Sequence, residues 1–234
     1  MKRIFVPTRA PQDWKPLLAQ PERHWKAGHS AMALAQCWES AAPGFPEEVA
    51  HAFVASKAPE LRDLEMLVGL PEYEVALQGG TRASQTDLLV LAAGSAGLVC
   101  LAIEGKVEEA FGPTLGEKRK ETEGGVPARL AQLDHVLGLQ RQLPDTVRYQ
   151  LVHRTVSAVL AARQFSAAVA VMIVHSFSVK NSWLPDFVDF AGHLGVPARP
   201  GELHSVPGHV SPTLFLGWCH GSPRFLSDLS GSAA

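Results

Sequence analysis

Residues 87–106 read DLLVLAAGSAGLVCLAIEGK: an acid, two apolar runs separated by Gly94-Ser95-Ala96-Gly97, and the charged end Glu104-Gly105-Lys106. Two apolar runs broken by a glycine-rich tetrapeptide predict a β-hairpin. If the hairpin closes about Ser95-Ala96, facing residues have numbers that sum to 191, and Asp87 then faces Glu104. Direct cross-strand neighbours hold their Cβ atoms roughly 4.5–5.5 Å apart, and two like charges at that distance destabilise a sheet unless a cation lies between them. Lys106 lies two residues beyond Glu104, so it projects from the same face. An acid pair with a lysine on one strand face is a chemical site, and a divalent metal is the ligand that suits it best.

Upstream of the hairpin, Ser30 is a good N-cap for a helix to about Ser40, with Ala31, Leu34, Ala35 and Trp38 on its apolar face. Pro46-Glu47-Glu48 opens a second helix, since proline suits the first turn and acids suit the helix dipole. Pro59–Val68 is expected to be a third helix, and Tyr73–Leu77 a short strand turned by Gly79-Gly80. Lys2–Val6 reads as a short strand, and Pro7–Lys26 as a proline-rich loop.

Downstream, Val107–Gly125 is a long polar loop carrying Glu117-Lys118-Arg119-Lys120-Glu121, and Val126–Gly138 is helical. A long helix is expected over Asp145–Gln164, with Asp145 as its N-cap. Ala167–Ser176 (AAVAVMIVHS) has the near-continuous apolar content of a strand buried on both faces. A helix over Trp183–Leu194, a strand over Thr213–Trp218 and a frayed end at Ser230–Ala234 complete the reading. The middle of the chain is thus helix, three strands, helix, strand, and a crossover would set the last strand parallel to one of the first three. The expectation is a mixed α/β fold in a single domain over 1–234. Its core spans about 59–176, with N-terminal helices at about 30–58 and a C-terminal helix and strand at about 183–218.

With 46% hydrophobic residues, 19% charged residues and a net charge of −2, the chain can bury a sizeable core but lacks a global basic signature for nucleic acid. Cys37, Cys100 and Cys219 are odd in number and widely spaced, which implies neither a disulfide framework nor a zinc motif and suits a reducing cytoplasm. The N-terminus has no apolar core of a signal peptide, and the uncharged run from Leu88 to Ile103 is too short and too interrupted to span a membrane. The histidines show no ligand spacing on one element, and His175 reads as a satisfied strand-end residue. Ser176 and Ser178 lack the G-x-S-x-G context of a serine hydrolase. The five tryptophans, Trp14, Trp25, Trp38, Trp183 and Trp218, read as packing residues.

The D…E-x-K set on the second and third strands of an α-β-β-β-α-β order resembles the PD-(D/E)XK nuclease superfamily. More narrowly, SQTDLLVL…EGKV…RYQLVHRT is similar to a small bacterial family of unknown function within it. The resemblance covers roughly residues 59–176 and implies a restriction-endonuclease-like αβββαβ core with an N-terminal helical elaboration. One departure is Thr86, which stands where the superfamily often has proline. By this resemblance Asp87 and Glu104 would ligate Mg²⁺ or Mn²⁺, with the Gly105 carbonyl as a further oxygen ligand. Lys106 would orient the attacking water and offset charge in the transition state. Gln150, on one helix surface with His153 and Arg154, would complete the catalytic set, and an earlier helical acid would join the metal shell. Glu39 and Glu65 are the candidates for that acid, with Glu39 preferred.

The implied function is metal-dependent hydrolysis of phosphodiester bonds in nucleic acid. The alternative is a catalytically inactive nuclease-fold module that binds or regulates. The net charge leans to the second, the intact D…E-x-K to the first. For the acid pair itself, a solvated Lys–Glu pair at a strand end is the plain alternative; for Lys118-Arg119-Lys120 it is a solvated loop against a phosphate contact. Nucleic acid is the expected partner, no membrane is expected, and a homodimer is left open.

Overall fold

In the computed structural model, residues 7–79 and 83–229 are described. The expected strand at Lys2–Val6, the frayed Ser230–Ala234 and Gly80 of the expected Gly79-Gly80 turn lie outside them. The architecture is a mixed α/β one, an open six-stranded sheet in the order β1-β2-β3-β4-β6-β5 with helices on both faces. The strands are β1 (Glu65–Val75), β2 (Ser84–Gly94), β3 (Gly97–Lys106), β4 (Val169–Ser176), β5 (Leu203–Val210) and β6 (Thr213–His220). The α-helices are α1 (Pro21–His24), α2 (Ser30–Ala41), α3 (Glu47–Ser56), α4 (Leu115–Arg119), α5 (Val126–Leu137), α6 (Tyr149–Gln164) and α7 (Leu184–His193).

The β2–β3 hairpin closes as its sequence dictates. Every pair from Leu88–Ile103 to Gly94–Gly97 keeps the sum of 191. Gly97 takes φ +108, a conformation glycine adopts without the clash a Cβ would bring. Strand β4 lies parallel to β3, and its eight residues are all buried. Val169, Val171 and Ile173 pack toward α2 and α3, while Ala170, Met172 and Val174 pack toward α6. Helix α6 meets the sheet through Leu151, Val152, Val156, Ala158, Val159 and Ala162, a surface short enough for close approach.

Three expectations are corrected. Pro59–Val68 is not a helix: a short 3-10 turn, Pro59–Leu61, gives way to the eleven-residue strand β1. Gly69 and Pro71 deny a helix there, and as an edge strand β1 tolerates the proline. The long helix begins at Tyr149 rather than Asp145. Residues 145–149 instead bond the start of α4 and the residues before it, through Leu115 N to Val147 O at 2.8 Å and Tyr149 N to Pro113 O at 3.0 Å, and Asp145 pairs with Arg119. The polar loop after β3 carries α4, whose N-cap Thr114 and Glu117 form a capping box. A strand that composition concealed, β5, pairs with β6 despite Pro207 and Gly208.

Candidate functional site

Glu104 and Lys106 close β3, and α6 passes over that end of the strand. The last rung of the β2–β3 ladder is Leu88–Ile103, and just past it the Gly105 amide donates to Asp87 Oδ2 at 2.8 Å. The Asp87 side chain thus takes over where the backbone ladder stops. Gly105 leaves little room there: a Cβ would meet Asp87 Oδ2 and Leu34 Cδ2, each at 3.4 Å.

Glu104 is 3% exposed and saturated with donors. Its Oε1 accepts from Lys106 Nζ at 2.6 Å and Gln150 Nε2 at 2.7 Å, and its Oε2 accepts from Arg154 Nε at 2.5 Å. Arg154 also reaches Asp87 Oδ1 at 4.0 Å and donates to Ser84 Oγ at 2.8 Å. His153 Nδ1 lies 3.0 Å from the same hydroxyl. Arg154 is therefore the cation that lets two acids sit on neighbouring strands. Gln150 and Arg154 are one helical turn apart, which is why both reach one carboxylate. Lys106 Nζ also lies 4.9 Å from the Phe111 ring centre, a cation–π contact.

A third acid belongs to the group. The β1–β2 pairs Pro71–Leu88 and Tyr73–Thr86 place Glu72 opposite Asp87. Glu72 has φ +51, a left-handed conformation that is costly for a non-glycine residue and recurs at functional sites. Both strands change face at this point. Leu70 packs toward α6 and so do Tyr73 and Val75, while Leu88 packs toward α2 although Ser84 bonds α6 residues. Three acids, Glu72, Asp87 and Glu104, thus lie in a row across three strands.

The row carries more acid than base. Burial opposes ionisation of Glu104, but Lys106 and Arg154 outweigh it and hold its carboxyl at about 2. Burial and then the Glu104 charge push Asp87 up to about 7, against the pull of Arg154 and Lys106. Burial and then Asp87 push Glu72 upward as well. Burial, aided by the Arg154 charge, lowers His153, which stays neutral. Asp87 keeps a side-chain exposure of 22%, and Oδ1 has no donor nearer than Arg154, so the group opens to solvent at Asp87.

Carboxylate oxygens are the donors a hard divalent cation takes, but one ligand atom from each of Glu72, Asp87 and Glu104 does not fall within 4.8 Å of the others. Burial first, and the neighbouring acid second, raise both Asp87 and Glu72, so the apo cluster favours keeping a proton there. A measurable consequence follows. An acid raised from 3.8 to about 7 keeps its proton in the fold while the unfolded chain has lost it, so its contribution to stability is lost as pH rises from about 4 to 7. Asp87→Asn in metal-free buffer is therefore expected to melt above wild type at pH 8, with the gap narrowing as pH falls toward 4. A pH-independent gap in thermal melts would show that Asp87 is not held protonated.

Of the acids proposed to complete the shell, Glu39 lines a cavity with Pro71 and Leu88, next to Glu72 and Asp87, while Glu65 is not brought to the pair. Glu39 accepts from Trp14 Nε1 at 2.7 Å and Thr8 Oγ1 at 2.6 Å, which hold it against α2. Glu65 starts β1 opposite Ala93, at the other end of the hairpin from Asp87. The basic run is also engaged: Lys118 bonds Glu121 and Arg119 pairs with Asp145. Among the described residues, one trio of His, Cys or acidic side chains brings its ligand atoms within 4.8 Å of one another: Cys37, Glu48 and His175, on the face away from α6. No helix among the described residues is long and apolar enough to cross a membrane.

Sheet and site together define a mixed α/β protein with a buried acid–base cluster where β3 meets α6. Over residues 7–223 the chain matches the family model described as a domain of unknown function (DUF6946), and it belongs to that family. No curated protein and no solved structure matches it.

Proposed function

We propose that the protein is a metal-dependent phosphodiesterase acting on nucleic acid, on a restriction-endonuclease-like core. The observation that carries this reading is the convergence of Asp87, Glu104, Lys106 and Gln150 on one sheet end. The element order, with β4 parallel to β3 after an intervening helix, supports it.

Asp87 and Glu104 would hold the cation, with Glu72 as a third acid once the carboxylates draw together; the Asp87 Oδ1 oxygen would engage first, since its nearest donor, Arg154, is 4.0 Å away. A bound Mg²⁺ or Mn²⁺ supplies polarisation of the phosphoryl oxygen and a lowered pKa for water. Gln150 keeps Glu104 oriented. Arg154, bonded to Glu104 and 4.0 Å from Asp87, would supply the positive charge that offsets a bound phosphate. Lys106 directs the attacking water and offsets negative charge as it develops.

The test is incubation of the full chain with single-stranded DNA, duplex DNA and RNA, with Mg²⁺ or Mn²⁺ and with chelator. The expected result is metal-dependent cleavage that Asp87→Asn abolishes, with a melting temperature raised by millimolar Mn²⁺ in wild type only. A second reading rests on Glu104: a carboxylate 3% exposed with three donors also suits a module that binds nucleic acid or a partner without cutting. A thermal shift with metal but no cleavage of any substrate selects that reading.

A further inference from the structure

On the other face of the sheet, three side chains from three elements meet: Cys37 of α2, Glu48 in the first turn of α3 and His175 of β4. Cys37 Sγ is 3.6 Å from Glu48 Oε1, and His175 Nε2 is 2.8 Å from the same oxygen. Cys37 and His175 are buried, and Cys37 and Glu48 border a cavity of about 360 Å³ that Ser40, Phe45 and Arg224 also line. We propose that Cys37, Glu48 and His175 form a binding site for a zinc-class divalent ion, with a fourth position facing this cavity.

The ligand chemistry chooses the ion. Thiolate, imidazole and carboxylate are the three donors zinc takes, and three protein ligands leave one position for water or a ligand. A sulfur donor selects against Mg²⁺. Proton accounting narrows the choice further. Cys37 Sγ donates to Glu48 Oε1 at 3.6 Å, so the thiol carries its proton when no ion is bound. That proton leaves to solvent on binding. Trp38 Nε1 donates to His175 Nδ1 at 3.2 Å, so the Nε2 proton faces Glu48. An ion taking the Nε2 lone pair moves that proton to Nδ1 at the cost of the Trp38 hydrogen bond. Only an ion that bonds imidazole strongly meets that cost. The charged and titratable groups around the trio include Glu47 of α3 and Arg224 beyond β6, which line the cavity, and Cys219 and His220 at the end of β6.

The site is independent of the phosphodiesterase reading, and the experiment keeps the two apart. Chelator-treated full-length protein is titrated with Co²⁺ as a spectroscopic probe and then with Zn²⁺. One equivalent of Co²⁺ should bring a thiolate-to-metal charge-transfer band that Zn²⁺ abolishes. Asp87→Asn and Cys219→Ala should keep the band, and Cys37→Ala should lose it. Affinity should rise about tenfold per pH unit, because one thiol proton is displaced. Glu48→Gln keeps an acceptor for His175 and should fold with a melting temperature near wild type. It should weaken Zn²⁺ binding by more than the roughly 10–100-fold that a lost orienting partner costs. No band in wild type, or a band unchanged in Cys37→Ala, overturns the proposal and leaves the trio as a hydrogen-bonded clamp between α2, α3 and β4.

Discussion

Glu104→Ala is expected to lower the melting temperature by roughly 6–20 °C, and to remove any cleavage activity. The reason lies in what the substitution leaves behind. Glu104 is the shared anion of Lys106 and Arg154, which are 4% and 9% exposed. Replacing a buried ion pair with apolar groups can be nearly neutral, but removing one partner strands the other, at a cost of about 3–5 kcal/mol. In a domain of this size each kcal/mol shifts the melting temperature by about 2–4 °C. Asp87 offsets little of the loss, since it stands 4.0 Å from Arg154 and burial resists its ionisation. Adding Arg154→Leu to Glu104→Ala should restore part of the stability, because it removes one of the stranded charges. Differential scanning calorimetry on the two variants and wild type measures this coupling. A shift below about 2 °C for Glu104→Ala would mean that the cluster is hydrated rather than buried.

The parts of the site that could be read in advance are those where short-range rules set the geometry. A two-residue loop leaves the β2–β3 register no freedom, so the register followed from the turn as far as Leu88–Ile103, the rung next to Asp87 and Glu104. Helical spacing placed Gln150, His153 and Arg154 on one surface, and all three do reach the cluster. Arg154 was the less obvious member; its longer side chain, not its position, lets it touch both acids. Glu72 was hidden because Leu61, Leu64 and Leu67 suggest a helical period up to Val68. That assignment leaves Glu72 in a connection instead of in an eleven-residue strand. The Pro71-Glu72-Tyr73-Glu74 stretch, read against Ser84–Asp87, would have paired Glu72 with Asp87 once β1 was taken as a strand. The partners of Glu39 were hidden for a different reason. Periodicity marks which helix face is covered, not what covers it, and Trp14 and Thr8 come from a proline-rich segment with no period. Cys37, Glu48 and His175 carry no spacing signal because three distant elements supply one ligand each.

Lys106→Ala is expected to separate binding from catalysis. Under the proposed chemistry the ammonium is not a metal ligand; it sits 2.6 Å from Glu104 Oε1 and competes with the metal for that carboxylate. Its removal should leave Mn²⁺ affinity equal or slightly greater, while cleavage falls by on the order of 10²–10³, the usual loss for one preorganised electrostatic group. Stability should fall less than in Glu104→Ala, since Glu104 keeps Gln150 and Arg154 as donors. Lys106→Arg should recover only part of the rate. A planar guanidinium cannot aim a single compact charge at one water, and Phe111, 4.9 Å from the ammonium, leaves it little room to turn. Isothermal calorimetry with Mn²⁺ and gel-based cleavage on the same samples provide both readouts. Loss of metal binding in Lys106→Ala would make the lysine a scaffold for Glu104 rather than a participant in hydrolysis. Unchanged cleavage would remove it from the mechanism and, with it, the reading of the D…E-x-K set as a catalytic unit.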